Sequence, residues 1–194
     1  MKLILASNNA NKLKEFRSLT ADLDIELLSQ KEAGCDFEVE ENGTTFEENA
    51  YLKASAVTAA TGFAAVADDS GLCVDALNGE PGIYSARYGL GHDASDQDRY
   101  RYLLQKMEGV ENRSARFVCC ICCTLPDGSV IRSRGECEGE ILLSPKGRNG
   151  FGYDPVFHPL GLEKSMAELS PEEKNAISHR GKALRAFIEE LKKL

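Results

Sequence analysis

The chain has 194 residues, 42% hydrophobic and 28% charged, enough for one domain, or one domain with two lobes, around a sizeable core. Its 31 Asp and Glu against 23 Lys and Arg leave a net charge of −8, which excludes nonspecific attraction to DNA, RNA or an anionic membrane as its business. No apolar run reaches membrane-spanning length and the first apolar run, residues 3–6, is too short for a signal peptide, so a cytoplasmic protein is expected. A phosphate-bearing small molecule is an admissible ligand if a local group of Lys and Arg overcomes the global charge.

Residues 2–6 read as a first strand. Ser7-Asn8-Asn9-Ala10-Asn11-Lys12 then turns into a helix over residues 13–19. Strand, polar turn, helix is the geometry in which backbone N–H groups meet an anion, and it is equally an ordinary connection. Residues 24–28 form a second predicted strand, followed by an acidic, turn-rich segment over 34–43 that contains Glu38, Glu40 and Glu41. Thr45 and Glu48 fit a capping box opening a helix over 46–60 that closes near Gly62. Asn49 and Lys53 lie one turn apart on it and share a face, for which solvent is the usual neighbour.

The apolar run 63–67 stops on Asp68-Asp69-Ser70-Gly71, which reads as a turn, and residues 72–77 resume it. Two carboxylates at the end of a buried strand are costly to desolvate, so they should be hydrogen-bonded or hold a cation. Their side chains diverge, so one can bind metal while the other orients water or backbone. An acidic turn of common turn residues is the plain alternative. A Gly- and Pro-rich loop over 78–89, a helix over 94–107 and a hairpin of 114–125 with 129–138 follow.

Four of the seven cysteines fall in Cys119-Cys120-Ile121-Cys122-Cys123. Overlapping C-x-x-C spacings can mean zinc or redox chemistry. The β-branched and aromatic surroundings, and the alternation of a strand, favour reduced cysteines used as small core hydrophobes. A Gly-rich loop over 144–155 enters a short strand at Val156-Phe157, and Phe151, between Gly150 and Gly152, has one approachable ring face, for the core or for a planar ligand. Ser170-Pro171-Glu172-Glu173 opens a C-terminal helical segment with Lys174 and Ser178 on one face, continuing over 183–194. Strands alternating with helices, and a hairpin in the second half, predict an α/β fold with a mixed sheet.

Taken together, Ser7-x-Asn9-x-x-Lys12, Glu41, Lys53, Asp68-Asp69-Ser70-Gly71, Pro81-Gly82-Ile83-Tyr84-Ser85-Ala86-Arg87, Phe151-Gly152-Tyr153-Asp154-Pro155 and Ser178-His179-Arg180 resemble the inosine triphosphate pyrophosphatase family, in its bacterial form that hydrolyses dITP and XTP. The likeness runs from Ser7 to Arg180 in the family's order and spacing; Asn8 stands where many relatives carry Gly, and the cysteine-rich strand matches nothing functional in the family. The resemblance implies an elongated mixed β-sheet flanked by helices, two lobes with a central active-site cleft, one domain over residues 1–194 and a homodimer. It also implies a pyrophosphatase using Mg²⁺, one ion per subunit, that cleaves dITP, ITP or XTP to monophosphate and pyrophosphate by water attack at the α-phosphorus.

In that family's terms Asp69 is the proton acceptor, and Glu41, Asp69 and Asp68 are the metal candidates. Ser7, Asn8, Asn9, Ala10, Asn11, Lys12, Lys53, Ser70 and Lys174 would hold the triphosphate. Phe151 would stack on the purine, with Gly152, Tyr153, Asp154, Ser178, His179 and Arg180 shaping the pocket around the base. A 6-keto purine presents acceptors at O6 and N7 to donors on His179 and Arg180; adenine puts an amino donor on the same edge, and a buried unmatched donor costs about 1–3 kcal/mol.

Overall fold

Leu3 and Leu5 of the first strand, β1 (Lys2–Leu5), project to one side and Ile4 to the other, and both sides are covered, so the strand is apolar at successive positions. The computed structural model describes residues 1–89, 91 and 93–193. After β1 come α1 (Ala10–Thr20), β2 (Glu26–Ser29), α2 (Phe46–Thr61), β3 (Ala64–Val74), α3 (Asp96–Lys106), β4 (Ser114–Thr124), β5 (Val130–Ile141), β6 (Phe157–Pro159), α4 (Pro171–Ile177) and α5 (His179–Leu191). The strands form one sheet in the order β2-β1-β3-β4-β5-β6. β1 runs parallel to β2, with Leu3 opposite Leu27, and parallel to β3, with Leu5 opposite Val66; β5 and β6 are antiparallel. The expected α/β fold with a mixed sheet is the fold observed.

Three elements differ from the sequence reading. Helix α1 starts at Ala10, not Leu13, because the Asn9 side chain caps it by accepting from the N–H groups of Asn11 and Lys12. The predicted turn at Asp68–Gly71 is instead the middle of β3. β3 lies between β1 and β4, and ladder bonds to its neighbours outweigh the local turn preference of Asp, Ser and Gly. The C-terminal helical segment is split at Ser178, whose backbone is extended (φ −64°, ψ 154°). α5 ends at Leu191, and the predicted end at Leu194 lies outside the described residues. Helix α2 starts and stops as read: Thr45 Oγ1 accepts from Glu48 N at 3.1 Å, and Gly62 takes the left-handed cap (φ 71°) that other residues resist. The Glu48 carboxylate reaches back to accept from the N–H and hydroxyl of Thr44.

Two compact units share the chain. The first comprises Met1–Asp69, Cys119–Gly135 and Arg180–Leu194; the second comprises Ser70–Val118 and Glu136–His179. In the first, Leu5, Val66 and Ile121 pack with Phe16 of α1 and Leu184 and Phe187 of α5 on one side of the strands. On the other side Ile4, Ala65 and Ala67 pack with Ala54 and Val57 of α2. In the second, Leu72, Val74, Phe117 and Phe157 surround Leu103 and Met107. No helix of the described residues is long and apolar enough to cross a membrane.

Strand alternation also disposes of the cysteine motif. Cys119 and Cys123 join the cluster packed on α1 and α5, while Cys120 and Cys122 project the opposite way, so each C-x-x-C pair straddles the sheet and cannot converge on one ion. None of the seven cysteines is in a disulfide, and burial pushes the Cys122 thiol up to about 11 and that of Cys123 up to about 12. Brief iodoacetamide treatment of the native protein should therefore label the half-buried Cys73 first and the six buried thiols only after unfolding. Rapid native labelling within residues 119–123, read by peptide mass spectrometry, would contradict this.

Candidate active site

Asp68 and Asp69 are consecutive residues of a strand, so they point to opposite faces of the sheet. Both are nearly inaccessible, at 1% and 7% exposure. Asp68 meets Lys12 of α1, whose Nζ is 3.0 Å from Oδ1, and Arg180 at the start of α5, whose Nε donates to Oδ2 at 3.2 Å. Arg180 also donates to Glu15 of α1, and the Cys119 thiol donates to Asp68 Oδ2 at 3.9 Å. Burial alone would raise the Asp68 pKa, but Lys12, Arg180 and Lys53 together outweigh it and hold the carboxyl well below the usual range.

Asp69 faces α2. Asn49 Nδ2 donates to its Oδ2 at 3.1 Å, and Lys53 Nζ lies 3.5 Å from its Oδ1. The same ammonium is 2.5 Å from Glu41 Oε1. Here burial dominates, Lys53 offsets only part of it and Glu41 adds repulsion, so the Asp69 pKa is raised above the ordinary value. Lys53 in turn is held in its charged form, because Asp69 and Glu41 outweigh its own desolvation. Two neighbouring carboxylates are thus driven apart in proton affinity, one locked as an anion and the other poised to accept a proton.

The polar turn ahead of α1 is folded around its own cap. Asn9 Oδ1 accepts from Asn11 N at 2.9 Å and Lys12 N at 3.2 Å, and Ser7 Oγ accepts from Asn9 N at 3.2 Å. Asn8, Asn9, Ala10 and Asn11 are exposed and Ser7 is half-buried, so this helix end faces solvent. The half-buried Ser70 follows Asp69 on β3.

A cation fits this donor set at one place. Glu41 and Asp69 already converge on a single positive charge, that of Lys53, and a pair of carboxylates completed by water and phosphate oxygens is what Mg²⁺ takes. Asp68 is not brought to this pair: it lies on the opposite face, with Lys12 and Arg180 on its two oxygens. Among the described residues no three His, Cys, Asp or Glu side chains form a ready-made metal cage.

The second unit carries a separate constellation. Phe151 N donates to Asp154 Oδ2 at 2.9 Å, and Lys174 Nζ donates to the same oxygen at 2.8 Å. The Lys174 ammonium also sits over the Phe151 ring, 4.6 Å from its centroid. Asp154, only 3% exposed, is therefore the hub that sets ring and lysine together. Gly150 (φ 76°) has to be glycine, since a Cβ there would strike the Asp154 carboxylate. Gly152 N donates to Asp96 Oδ2 at 2.7 Å and pins the loop from its other side.

The remaining base candidates have core partners. The Tyr153 hydroxyl donates to Ser85 O at 2.8 Å, and the buried Ser178 donates its N–H to Lys174 O at 2.8 Å. The His179 ring stacks on Phe117, with centroids 4.8 Å apart and 15° between planes. Arg180, expected at the base, has its guanidinium on Asp68 and Glu15 in the first unit.

Sequence reading overlooked three groups. Asn49 was seen to share a face with Lys53, but that face meets Asp69 instead of solvent. Glu15, the partner of Arg180, and Asp96, the partner of Gly152, gave no signal because each pairing spans a long stretch of chain.

Residues 3–190 match the Ham1 family. A dITP/XTP pyrophosphatase of Exiguobacterium sp. is 49% identical over 191 residues, 98% of this chain and 97% of that protein. A dITP/XTP pyrophosphatase of Nostoc sp. is 48% identical over 187 residues, 96% of this chain and 92% of that one. Among solved structures, the Ham1 protein of Staphylococcus aureus superposes with a TM-score of 0.91 at 44% identity, covering 100% of this chain and 99% of its own. A HAM1 protein from Coxiella burnetii gives 0.93 at 42% identity with both chains fully covered.

Proposed function

Because the chain belongs to the Ham1 family, we propose that it is a pyrophosphatase that converts dITP, ITP and XTP to the nucleoside monophosphate and pyrophosphate, clearing deaminated purines from the nucleotide pool. The observation that carries this reading is the contrast across β3. Asp69, with a raised pKa, stands beside a Glu41–Lys53 pair, while Asp68 is locked as an anion on the other face.

In this reading Asp69 accepts a proton from water. The water oxygen bonds to the α-phosphorus, the bond from that phosphorus to the bridging oxygen breaks, and pyrophosphate leaves. Glu41 and Asp69 would hold Mg²⁺, which supplies charge neutralisation on the phosphate oxygens when bound. Lys53 holds both carboxylates in place and adds its own positive charge. The exposed turn of Ser7, Asn8, Asn9, Ala10 and Asn11, together with Lys12, Ser70 and Lys174, takes the triphosphate, which is how an acidic protein retains a polyanion. Phe151 offers the purine the ring face that Lys174 does not cover. Gly152, Tyr153, Asp154, Ser178 and His179 form the pocket around the base, and Arg180 keeps Asp68 ionised. The working form is a cytoplasmic homodimer; Leu143 and Leu160, 82% and 74% exposed, offer apolar surface of the kind a second copy covers.

A nucleotide panel of dITP, XTP, ITP, dGTP and dATP with Mg²⁺ tests the proposal. dITP and XTP should give monophosphate and pyrophosphate, dATP should be turned over at least about 100-fold more slowly, and EDTA should abolish hydrolysis until Mg²⁺ is restored. Release of single phosphates, or a preference for dATP, would overturn it.

A further inference from the structure

Asn49, near the start of α2, is fully buried at 0% exposure, yet both ends of its amide are hydrogen-bonded. Nδ2 donates to Asp69 Oδ2 at 3.1 Å, and Oδ1 accepts from the backbone N–H of Gly43 at 2.9 Å. A carboxylate can only accept here and a peptide N–H can only donate, so the two partners fix which end of the amide is which. Packing alone does not call for an amide at this depth, since burying one is unfavourable unless it is bonded. The neighbouring buried positions of the same helix, Ala50 and Ala54, are apolar.

We infer that Asn49 is the positioning residue for the reacting carboxylate, an inference that rests on the reading of Asp69 as proton acceptor. Holding Oδ2 leaves Oδ1 as the oxygen turned toward Lys53 and available for chemistry. Through Gly43 the same side chain ties Asp69 to the segment that carries Glu41. Torsion about the last bond of an aspartate is broad, so without this contact the carboxylate samples orientations in which neither oxygen is aimed. Gly43 supplies a second, separate observation. A Cβ there would lie 2.6 Å from Asn49 Oδ1 and 2.8 Å from Glu48 Cβ, so the N–H closes on the amide only because the position lacks a side chain.

Two variants approach the contact from its two ends. Asn49→Asp is isosteric and still accepts from Gly43 N, but replaces the donor to Asp69 by a repelling oxygen. Gly43→Ala leaves the amide intact and displaces it. With dITP and saturating Mg²⁺, Asn49→Asp should lower kcat by about 30-fold or more and Gly43→Ala by about tenfold, with KM within about threefold of wild type in both, because misaiming a reacting group acts on kcat. The double variant should lose little more than Asn49→Asp alone, since both act through one contact. A folded Asn49→Asp with kcat within about threefold of wild type, or a loss carried by KM, overturns the inference. Should Asn49→Asp fail to fold by circular dichroism, Gly43→Ala decides on the same split. Asp69→Asn is measured beside them. If it is active, the reading of Asp69 fails; if it is inactive while Asn49→Asp and Gly43→Ala are unimpaired, only the positioning role fails.

Discussion

Asp69→Asn should lower kcat on dITP by about 10²–10⁴-fold, the range a positioned general base contributes, while nucleotide binding and folding survive. The substitution keeps the shape and an oxygen for Asn49 to bond, and removes the negative charge, and with it the ability to accept a proton and part of the hold on Mg²⁺. Its thermal cost follows from the raised pKa. A carboxyl whose folded pKa lies above its unfolded value contributes stability below the unfolded value, about 3.9, and loses that contribution as pH rises through the folded pKa. At neutral pH the ionised, buried Asp69 is therefore a burden on the fold, and its replacement by a neutral amide should leave the melting temperature unchanged or slightly higher. Lys53 keeps Glu41 as a partner in the variant. In the wild-type enzyme activity should fall at acid pH, where protonation of Asp69 removes the proton-accepting form. The residual activity of Asp69→Asn should lack that limb. Calorimetry and a pH–rate profile check both parts, and a variant that retains turnover, or melts well below wild type, removes Asp69 from this role.

Which parts of this arrangement were readable from sequence follows from the range of the interactions that make them. Thr45, Glu48 and Gly62 announced α2 because caps are decided within four residues of chain. The alternation of strands with helices announced the α/β class, and the parity of a strand settled the cysteines. The Asp68–Gly71 segment reads locally as a turn, but its extended backbone belongs to a strand inside the sheet, and long-range strand pairing is something local composition does not register. The adjacency of Asp68 and Asp69 was visible and their divergence was anticipated. Which of them would be locked and which poised was not: that depends on Lys12, Arg180 and Glu15 on one face and on Asn49 and Lys53 on the other. Arg180 is 112 residues from Asp68 and 165 from Glu15 in the chain, and no periodicity links them. The Gly-rich loop was recognisable as a loop, but the role of Asp154 in joining Phe151 to Lys174 needed the fold.

Asp68→Ala should be the opposite of Asp69→Asn, costing stability before chemistry. Removing one partner from a buried ion pair leaves the other charge uncompensated, which costs about 3–5 kcal/mol. Here Arg180, itself only 3% exposed, would lose the carboxylate that its Nε donates to, and Lys12 would lose the carboxylate 3.0 Å away. For a chain of this length about 2–4 °C of melting temperature accompanies each kcal/mol, so the midpoint should fall by about 6–20 °C. The pH dependence has a definite sign. The folded pKa of Asp68 is depressed, so its contribution is fully present above the unfolded value of about 3.9 and is lost as pH falls through the folded pKa. The stability gap between wild type and Asp68→Ala should accordingly be widest near neutrality and narrow steadily below about pH 4. Replacing both members of the pair, as in Asp68→Leu/Arg180→Met, should cost less than the sum of the two single changes, because neither of the two most deeply buried charges is left facing a missing partner. Denaturant unfolding at several pH values measures each of these quantities. An Asp68→Ala protein that melts with wild type at neutral pH would mean that the Lys12–Asp68–Arg180–Glu15 chain contributes nothing net to the fold.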